Sequence, residues 1–177
     1  MHSYTPQENG EVDSSAPSEW LTRYPAFRDA LHHGATRFGA LPLPAKMAAM
    51  RRTHADASSY HGIAPYIDDV AASYVEMFAH QVDEAVTGHF AAQFGDGEDA
   101  RAAARAQLEE LAREAPVMRY PAIARPPCLL STGKAVIMEG WMRYFFYRAR
   151  GDATIPLLAV DWPRFDAQLQ RCRARSS

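Results

Sequence analysis

The segment 134–162 constrains the fold most, because two apolar runs of strand length flank a helical pattern that starts at a glycine. The run Ala135–Glu139 has the length of a short strand, and Gly140 interrupts it. The residues Trp141–Arg150 then carry aromatic and basic side chains at helical spacing. A second apolar run, Ile155–Val160, follows. We therefore predict a strand, a helix and a second strand at one edge of a buried sheet.

The turn between the first strand and the helix is a candidate phosphate site. The first amides of a helix lack internal partners and lie at the positive end of its dipole, so Trp141, Met142 and Arg143 offer donors to an anion. Gly140 lets a phosphate approach, Arg143 adds a planar cation, and Glu139 is a candidate metal ligand or general base. The alternative is that Glu139 caps the helix and Arg143 is an exposed surface charge.

Two faces of the predicted helix differ in character. The packed face is expected to contain Trp141, Phe145 and Ala149. The opposite face is expected to be exposed and basic, with Arg143, Tyr147 and Arg150. A basic face next to the turn would extend the phosphate site.

The sequence EGWMR, followed by YFFYRARGDATIPLLAVDW, resembles the ParB/sulfiredoxin superfamily, whose members share an acid-Gly-x-x-Arg turn, a helix ending near glycine, and then Ile-Pro and a strand. The resemblance covers roughly residues 118 to 162. It implies nucleotide binding and an α/β (α+β) fold, in which a small mixed sheet carries the GxxR helix at one edge. Arg119–Ile123 is similar to the family's entering strand, and Ser131–Lys134 would form a hairpin loop. We expect Ser131, Thr132 and Lys134 to close over the nucleotide.

Two departures narrow the choice within the superfamily. Sulfiredoxins place a catalytic cysteine inside the GxxR turn, whereas this turn holds Trp141 and Met142, and the only cysteines are Cys128 and Cys172. Sulfiredoxin-type repair of oxidised cysteine is therefore not expected. Partition proteins continue with a helix-turn-helix region and a dimerisation domain, which we do not expect in a chain that ends soon after the second strand.

Small size and a module near the C-terminus are similar to the fertility-inhibition proteins of conjugative plasmids, of the oncogenic-suppressive (Osa) and FiwA type. This resemblance implies an ATPase and metal-dependent DNase that attacks DNA in transit and meets the conjugative transfer machinery. Glu139 and Arg143 would be catalytic, with ATP and Mg²⁺ or Mn²⁺ as cofactors and Glu139 as the metal ligand. One alternative is a non-enzymatic nucleotide- or DNA-binding adaptor that blocks transfer by occupancy. Another is a small-molecule kinase of the same superfamily.

Charge is distributed unevenly along the chain. Residues 116–177 contain ten Lys and Arg against four Asp and Glu, whereas residues 1–115 contain nine against seventeen. A basic surface beside a phosphate site predicts binding to the DNA backbone with little sequence preference. The candidate DNA-binding residues are Tyr147, Arg148, Arg150, Arg171, Arg173 and Arg175. The alternative is that these arginines pair with the acidic leader.

Length and composition predict one domain, since 177 residues with 47% apolar content can bury a substantial core. We expect residues 1–17 to be disordered and residues 18–177 to form the domain, with a helical leader over 18–115 and the nucleotide and DNA module over 116–177. The predicted helices are Pro25–His33, Pro44–Arg52, Pro65–Val86, Asp99–Glu114 and Pro163–Arg173. No membrane-length apolar run or signal sequence is evident, so a cytoplasmic protein is expected.

Overall fold

The computed structural model describes residues 25, 28–30, 35–52, 64, 67–114, 125–131 and 137–176. The strands within these residues are β1 (Ala35–Arg37), β2 (Ala71–Phe78), β3 (Cys128–Ser131), β4 (Ile137–Glu139) and β5 (Thr154–Val160). The α-helices are α1 (Leu43–Arg52), α2 (Ala79–Ala91), α3 (Glu98–Glu114), α4 (Trp141–Arg150) and α5 (Trp162–Ser176). A short 3-10 helix, Phe38–Ala40, links β1 to α1.

The five strands form one mixed sheet in the order β1-β2-β5-β3-β4. The central strand β5 is antiparallel to β2 and parallel to β3, and β4 is antiparallel to β3. Helix α4 connects β4 to β5, so the chain leaves the sheet edge and returns to its centre. The prediction of a mixed α/β fold with a small mixed sheet is confirmed.

Helices cover both faces of the sheet. Strand β5 is buried from Ile155 onward, and its side chains alternate between two apolar cores. Ile155 and Leu157 pack with α2 and α4, whereas Leu158 and Val160 pack with α1 and α5. A strand buried on both faces reads as a continuous apolar run, which is why Ile155–Val160 could be predicted from sequence.

The predicted helix Pro65–Val86 is wrong over its centre. Residues Ala71–Phe78 form strand β2, and helix α2 begins only at Ala79. The pairing of β2 with β5 runs from Ala72 to Phe78 and overrides the three- and four-residue spacing of apolar side chains in this segment. Phe78, at the end of β2, is 58% exposed. With β1 and β2, the leader supplies two of the five strands and is not purely helical.

Most other predicted elements are confirmed within the described residues, whereas the predicted helix Pro25–His33 is described only at residues 25 and 28–30. The confirmed elements are the helices at Leu43–Arg52, Glu98–Glu114, Trp141–Arg150 and Trp162–Ser176, and the strands at Ile137–Glu139 and Thr154–Val160. The predicted disordered segment 1–17, the entering strand Arg119–Ile123 and the loop residues Thr132 to Lys134 lie outside the described residues. Strands β3 and β4 pair antiparallel, but Ser131, which was expected in the hairpin loop, is the last residue of β3, a strand that was not predicted.

Candidate functional site

The turn from β4 into α4 depends on a glycine. Gly140 is the N-cap of α4 with φ +98°, a conformation that side chains with a Cβ rarely adopt. A Cβ at this position would lie 3.0 Å from the Cα of Cys128 in β3. The helix therefore starts in close contact with the neighbouring strand, and no side chain caps its first turn. Amides that lack both an internal partner and a side-chain cap can receive an anion.

Arg143 is buried beneath this turn. Its Nη1 donates to the carbonyl oxygen of Pro127 at 2.7 Å, and its Nη2 donates to Oε1 of Glu139 at 2.9 Å. The Arg143 side chain is only 8% exposed. Its guanidinium thus ties the first turn of α4 both to the residue preceding β3 and to the end of β4. Arg143 positions Glu139 rather than extending into solvent.

Glu139 keeps one oxygen without a protein partner. Oε1 accepts the bond from Arg143, whereas Oε2 is buried and has no hydrogen-bond partner. A buried carboxylate oxygen without a partner is costly unless a water, a proton or a cation satisfies it. No cluster of three or more His, Cys, Asp or Glu that could hold a metal occurs in the described residues. A cation at Glu139 would therefore need oxygen ligands from phosphate or water.

Cys128 packs directly behind the turn. Its side chain is fully buried, and its Sγ lies 3.4 Å from the carbonyl oxygen of Gly140. Burial raises the pKa of the Cys128 thiol to about 12. A thiol with such a pKa is neutral near pH 7, so Cys128 contributes packing and not nucleophilic chemistry.

The prediction that Arg143, Tyr147 and Arg150 form an exposed face of α4 is wrong for the first two residues. Arg143 is 6% exposed and Tyr147 is fully buried, because this face of the helix packs toward β3 and the segment before it. The Tyr147 hydroxyl donates to the carbonyl oxygen of Pro126 at 2.7 Å. Guanidinium groups of Arg125 and Arg150 lie 5.3 Å and 5.5 Å from the centre of the Tyr147 ring. The structure thus places Tyr147 among arginines but leaves it no surface for stacking on a base.

Several basic residues of the module pair with acids. Arg125 bonds Glu76 in β2 at 2.9 Å, and Arg148 bonds Asp83 in α2 at 3.1 Å. Both acids belong to the acidic leader. This agrees with the alternative explanation of the charge asymmetry, in which arginines of the module pair with the leader. Arg150 pairs with Asp152, which holds the pKa of that carboxyl below its usual range.

The other site residues predicted from sequence either lie away from the β4–α4 turn or are not among the residues that the structure describes. Arg171 is exposed on α5, whereas the side chains of Arg173 and Arg175 are outside the described residues. Ser131 is the last residue of β3, and Thr132 and Lys134 are not described. The structure therefore brings together the proposed site residues from 139 to 143 at one turn.

Sequence reasoning missed a second polar cluster on α4. The Tyr144 hydroxyl donates to Oδ1 of Asp83 at 2.9 Å, and Arg148 Nε donates to Oδ2 at 3.1 Å. Burial raises the pKa of Asp83, and burial together with the Asp83 charge raises the pKa of Tyr144. Asp83 precedes Tyr144 by 61 residues. No local motif links such distant positions, so the cluster emerges only from the packing of α2 against α4.

Compared with known proteins, the chain matches no family model, no curated protein and no solved structure. Among the described segments, none of the helices combines the length and apolar character needed to cross a membrane.

Proposed function

We propose that the chain is a fertility-inhibition protein of ParB/sulfiredoxin type that binds ATP at the β4–α4 turn and cleaves DNA in a metal-dependent reaction. The observation that carries the proposal is the buried, unpartnered Oε2 of Glu139 beside a helix that starts without a side-chain cap. Amide groups that can bind an anion and a carboxylate oxygen that can bind a cation thus lie at the same turn. The mixed sheet and the GxxR helix agree with the resemblance described above.

The residues at the turn fit a nucleotide phosphate. The amides that follow Gly140 lie at the positive end of the α4 dipole, and they offer donors to phosphate oxygens. Glycine at this position lets the turn lie directly against β3, since a Cβ there would be 3.0 Å from the Cα of Cys128. Arg143 adds its positive charge from below the turn, although both of its terminal nitrogens already donate to protein oxygens.

The same residues fit a divalent cation that is shared with phosphate. Mg²⁺ is commonly held by one or two carboxylates together with phosphate oxygens and water, and Glu139 supplies one such carboxylate. When bound, the ion would neutralise charge on the phosphate that is being attacked. Arg143 fixes the Glu139 carboxylate through Oε1, which leaves Oε2 to hold the ion or to accept a proton from the attacking water.

DNA would contact exposed basic residues of two helices, α4 after this turn and α5 on the opposite face of the sheet. Arg148 and Arg150 on α4 and Arg171 on α5 are exposed. Contacts between arginines and phosphates position a nucleic acid without reading its sequence. We therefore propose non-specific backbone binding, with the conjugative transfer machinery as the protein partner.

A non-enzymatic adaptor is the second candidate, and the ion pairs favour it. Arg143 is already paired with Glu139, and Arg148 is paired with Asp83. Paired cations can hold a bound nucleotide or DNA while offering little to a transition state. Such a protein would block transfer by occupancy.

Hydrolysis of ATP and nicking of supercoiled plasmid by the purified chain, with Mg²⁺ or with a chelator, distinguish the two candidates. Mg²⁺-dependent phosphate release together with nicking supports the enzyme. Binding of ATP or DNA without either product supports the adaptor. If neither ligand binds at physiological salt, both candidates are wrong.

A further inference from the structure

A cavity of about 420 Å³ lies between helices α2, α3 and α4. It is lined by the second half of α4, and neither Glu139 nor Gly140 contributes to its wall. It is therefore separate from the proposed phosphate site at the start of the same helix. Its volume is within the range of about 300 to 1,000 Å³ that is typical of small-molecule sites.

The inner wall of this cavity is apolar. Leu108 of α3 and Phe145 of α4 line it, and these side chains are 7% and 5% exposed. Thr87 of α2 is also buried and adds a hydroxyl-bearing side chain to the same wall. An apolar wall of this kind favours a ligand with a compact apolar body.

Two arginines on different helices line the same cavity. Arg105 belongs to α3 and Arg148 to α4, and their side chains are 53% and 45% exposed. Arg105 makes a 3.2 Å contact with Glu98, but both groups are exposed, and such a pair stabilises little. Its guanidinium can therefore turn to a ligand at small cost.

Arg148 is held in a defined orientation. Asp83 accepts from its Nε at 3.1 Å, and the Tyr144 hydroxyl in turn donates to Asp83 at 2.9 Å. Its Nε contacts Asp83 and its Nη1 lies 3.5 Å from the Tyr144 hydroxyl, which leaves Nη2 for a ligand oxygen. A guanidinium that neighbouring groups fix in advance loses less entropy when it binds an oxyanion.

We propose that this cavity binds a small organic anion, in which a carboxylate, phosphate or sulfonate group meets Arg105 and Arg148 and an apolar body packs against Leu108 and Phe145. Two acids, Asp83 and Glu109, also line the cavity and carry the same sign of charge as this ligand, but Asp83 is paired with Arg148. The proposal therefore predicts that Glu109 weakens binding, whereas a site for a cation would use Glu109 as an attractive group. The sign of the Glu109 effect separates these two classes of ligand.

The test uses 8-anilinonaphthalene-1-sulfonate as the probe, because it joins an oxyanion to aromatic rings. Fluorescence titration of the full chain should give one site per chain. Arg105→Gln and Arg148→Gln should each weaken binding by about tenfold to a hundredfold, the usual cost of losing a hydrogen bond to a charged group. Glu109→Gln should strengthen binding several-fold. Arg113→Gln, also on α3 but not in the cavity wall, is the matched control and should leave the affinity unchanged.

Arg105→Gln tests the proposal even if Arg148→Gln disturbs folding, because the Arg105 side chain is 53% exposed. Unchanged affinity in Arg105→Gln would overturn the assignment, as would weaker binding in Glu109→Gln. Phenyl phosphate should displace the probe far better than inorganic phosphate, and equal displacement would overturn the apolar part of the proposal. Complete displacement by ATP would place the nucleotide in this cavity and refute a separate site.

Discussion

Replacing Gly140 with alanine tests the contact that sets the start of α4. Alanine at φ +98° adopts a strained backbone conformation, which costs about 1–2 kcal/mol. Its Cβ would also lie 3.0 Å from the Cα of Cys128, and because the neighbouring atom is backbone, relief requires the strand or the helix to shift. Overpacking of this kind costs roughly 1–3 kcal/mol. We expect Gly140→Ala to lower the free energy of unfolding by about 2–5 kcal/mol as the sum of both costs.

Gly151 provides the matched control for this substitution. It ends the same helix with φ +76°, but nothing lies within 4 Å of a Cβ built there. Gly151→Ala should therefore cost only the backbone term of about 1–2 kcal/mol. The gain that alanine brings by restricting the unfolded chain is common to both variants and cancels in the comparison.

Urea unfolding followed by circular dichroism measures both variants under the same conditions. For a chain of this size, each kcal/mol corresponds to a shift in Tm of about 2–4 °C, so a thermal melt provides a second measure. Equal destabilisation by Gly140→Ala and Gly151→Ala would refute the close packing of the turn on β3. A larger loss for Gly140→Ala would support it.

Three further predictions follow from burial and charge. Tyr147→Phe should destabilise the fold by about 1–3 kcal/mol in urea, because it leaves the buried Pro126 carbonyl unpaired; an unchanged midpoint would contradict this. In a Cys172→Ser background, Cys128 should react with a thiol reagent only after unfolding. Fast labelling of Cys128 in the folded chain near pH 8 would contradict its burial. Because burial raises the pKa of the Cys128 thiol from 9.0 to about 12, the stability that the neutral thiol contributes is complete below pH 9 and declines toward pH 12. Neutralising Arg171, Arg173 and Arg175 should flatten the log-log salt dependence of DNA binding by about 0.7–0.9 per lost phosphate contact, and an unchanged slope would exclude these residues.

The strand, helix and strand of the module could be predicted from sequence because each has a local signal. Gly140 and Gly151 bound a ten-residue aromatic and basic segment, and both adopt positive φ in the structure. Strand β5 is covered on both faces and reads as an uninterrupted apolar run. These signals depend on neighbours in sequence, so no tertiary information was needed.

Strand β2 could not be predicted in the same way. Its side chains face two different cores, with Ala72 on one side and Met77 on the other, so a period of two is obscured. The apolar residues from 67 to 82 happen to recur at helical spacing, which favoured a helix. Pairing with β5 decides the outcome, and that partner lies about 80 residues later in the chain.

The candidate site was predicted in part. The location of Glu139, Gly140 and Arg143 at one turn follows from the motif, because their separation in sequence is small. The burial of Arg143 could not be predicted, since it depends on the Pro127 carbonyl of a segment that packs against α4 only in the folded chain. Helical periodicity identified a shared face for Arg143 and Tyr147 but assigned that face to solvent.

Substitution of Glu139 by glutamine tests the proposed function most directly. The amide oxygen of glutamine can still accept the bond from Arg143 Nη2, so the turn should keep its structure. The variant loses the negative charge that would hold a cation and the basicity that would activate water. Glu110→Gln, an exposed carboxylate on α3, is the matched control.

The decisive measurement is the rate of Mg²⁺-dependent ATP hydrolysis and plasmid nicking for Glu139→Gln at saturating nucleotide. ATP affinity measured by calorimetry should stay close to that of the unmodified chain, while turnover should fall by about 10² or more. Glu110→Gln should match the unmodified chain in both. Hydrolysis and nicking at the unmodified rate in Glu139→Gln would contradict the proposed role of Glu139.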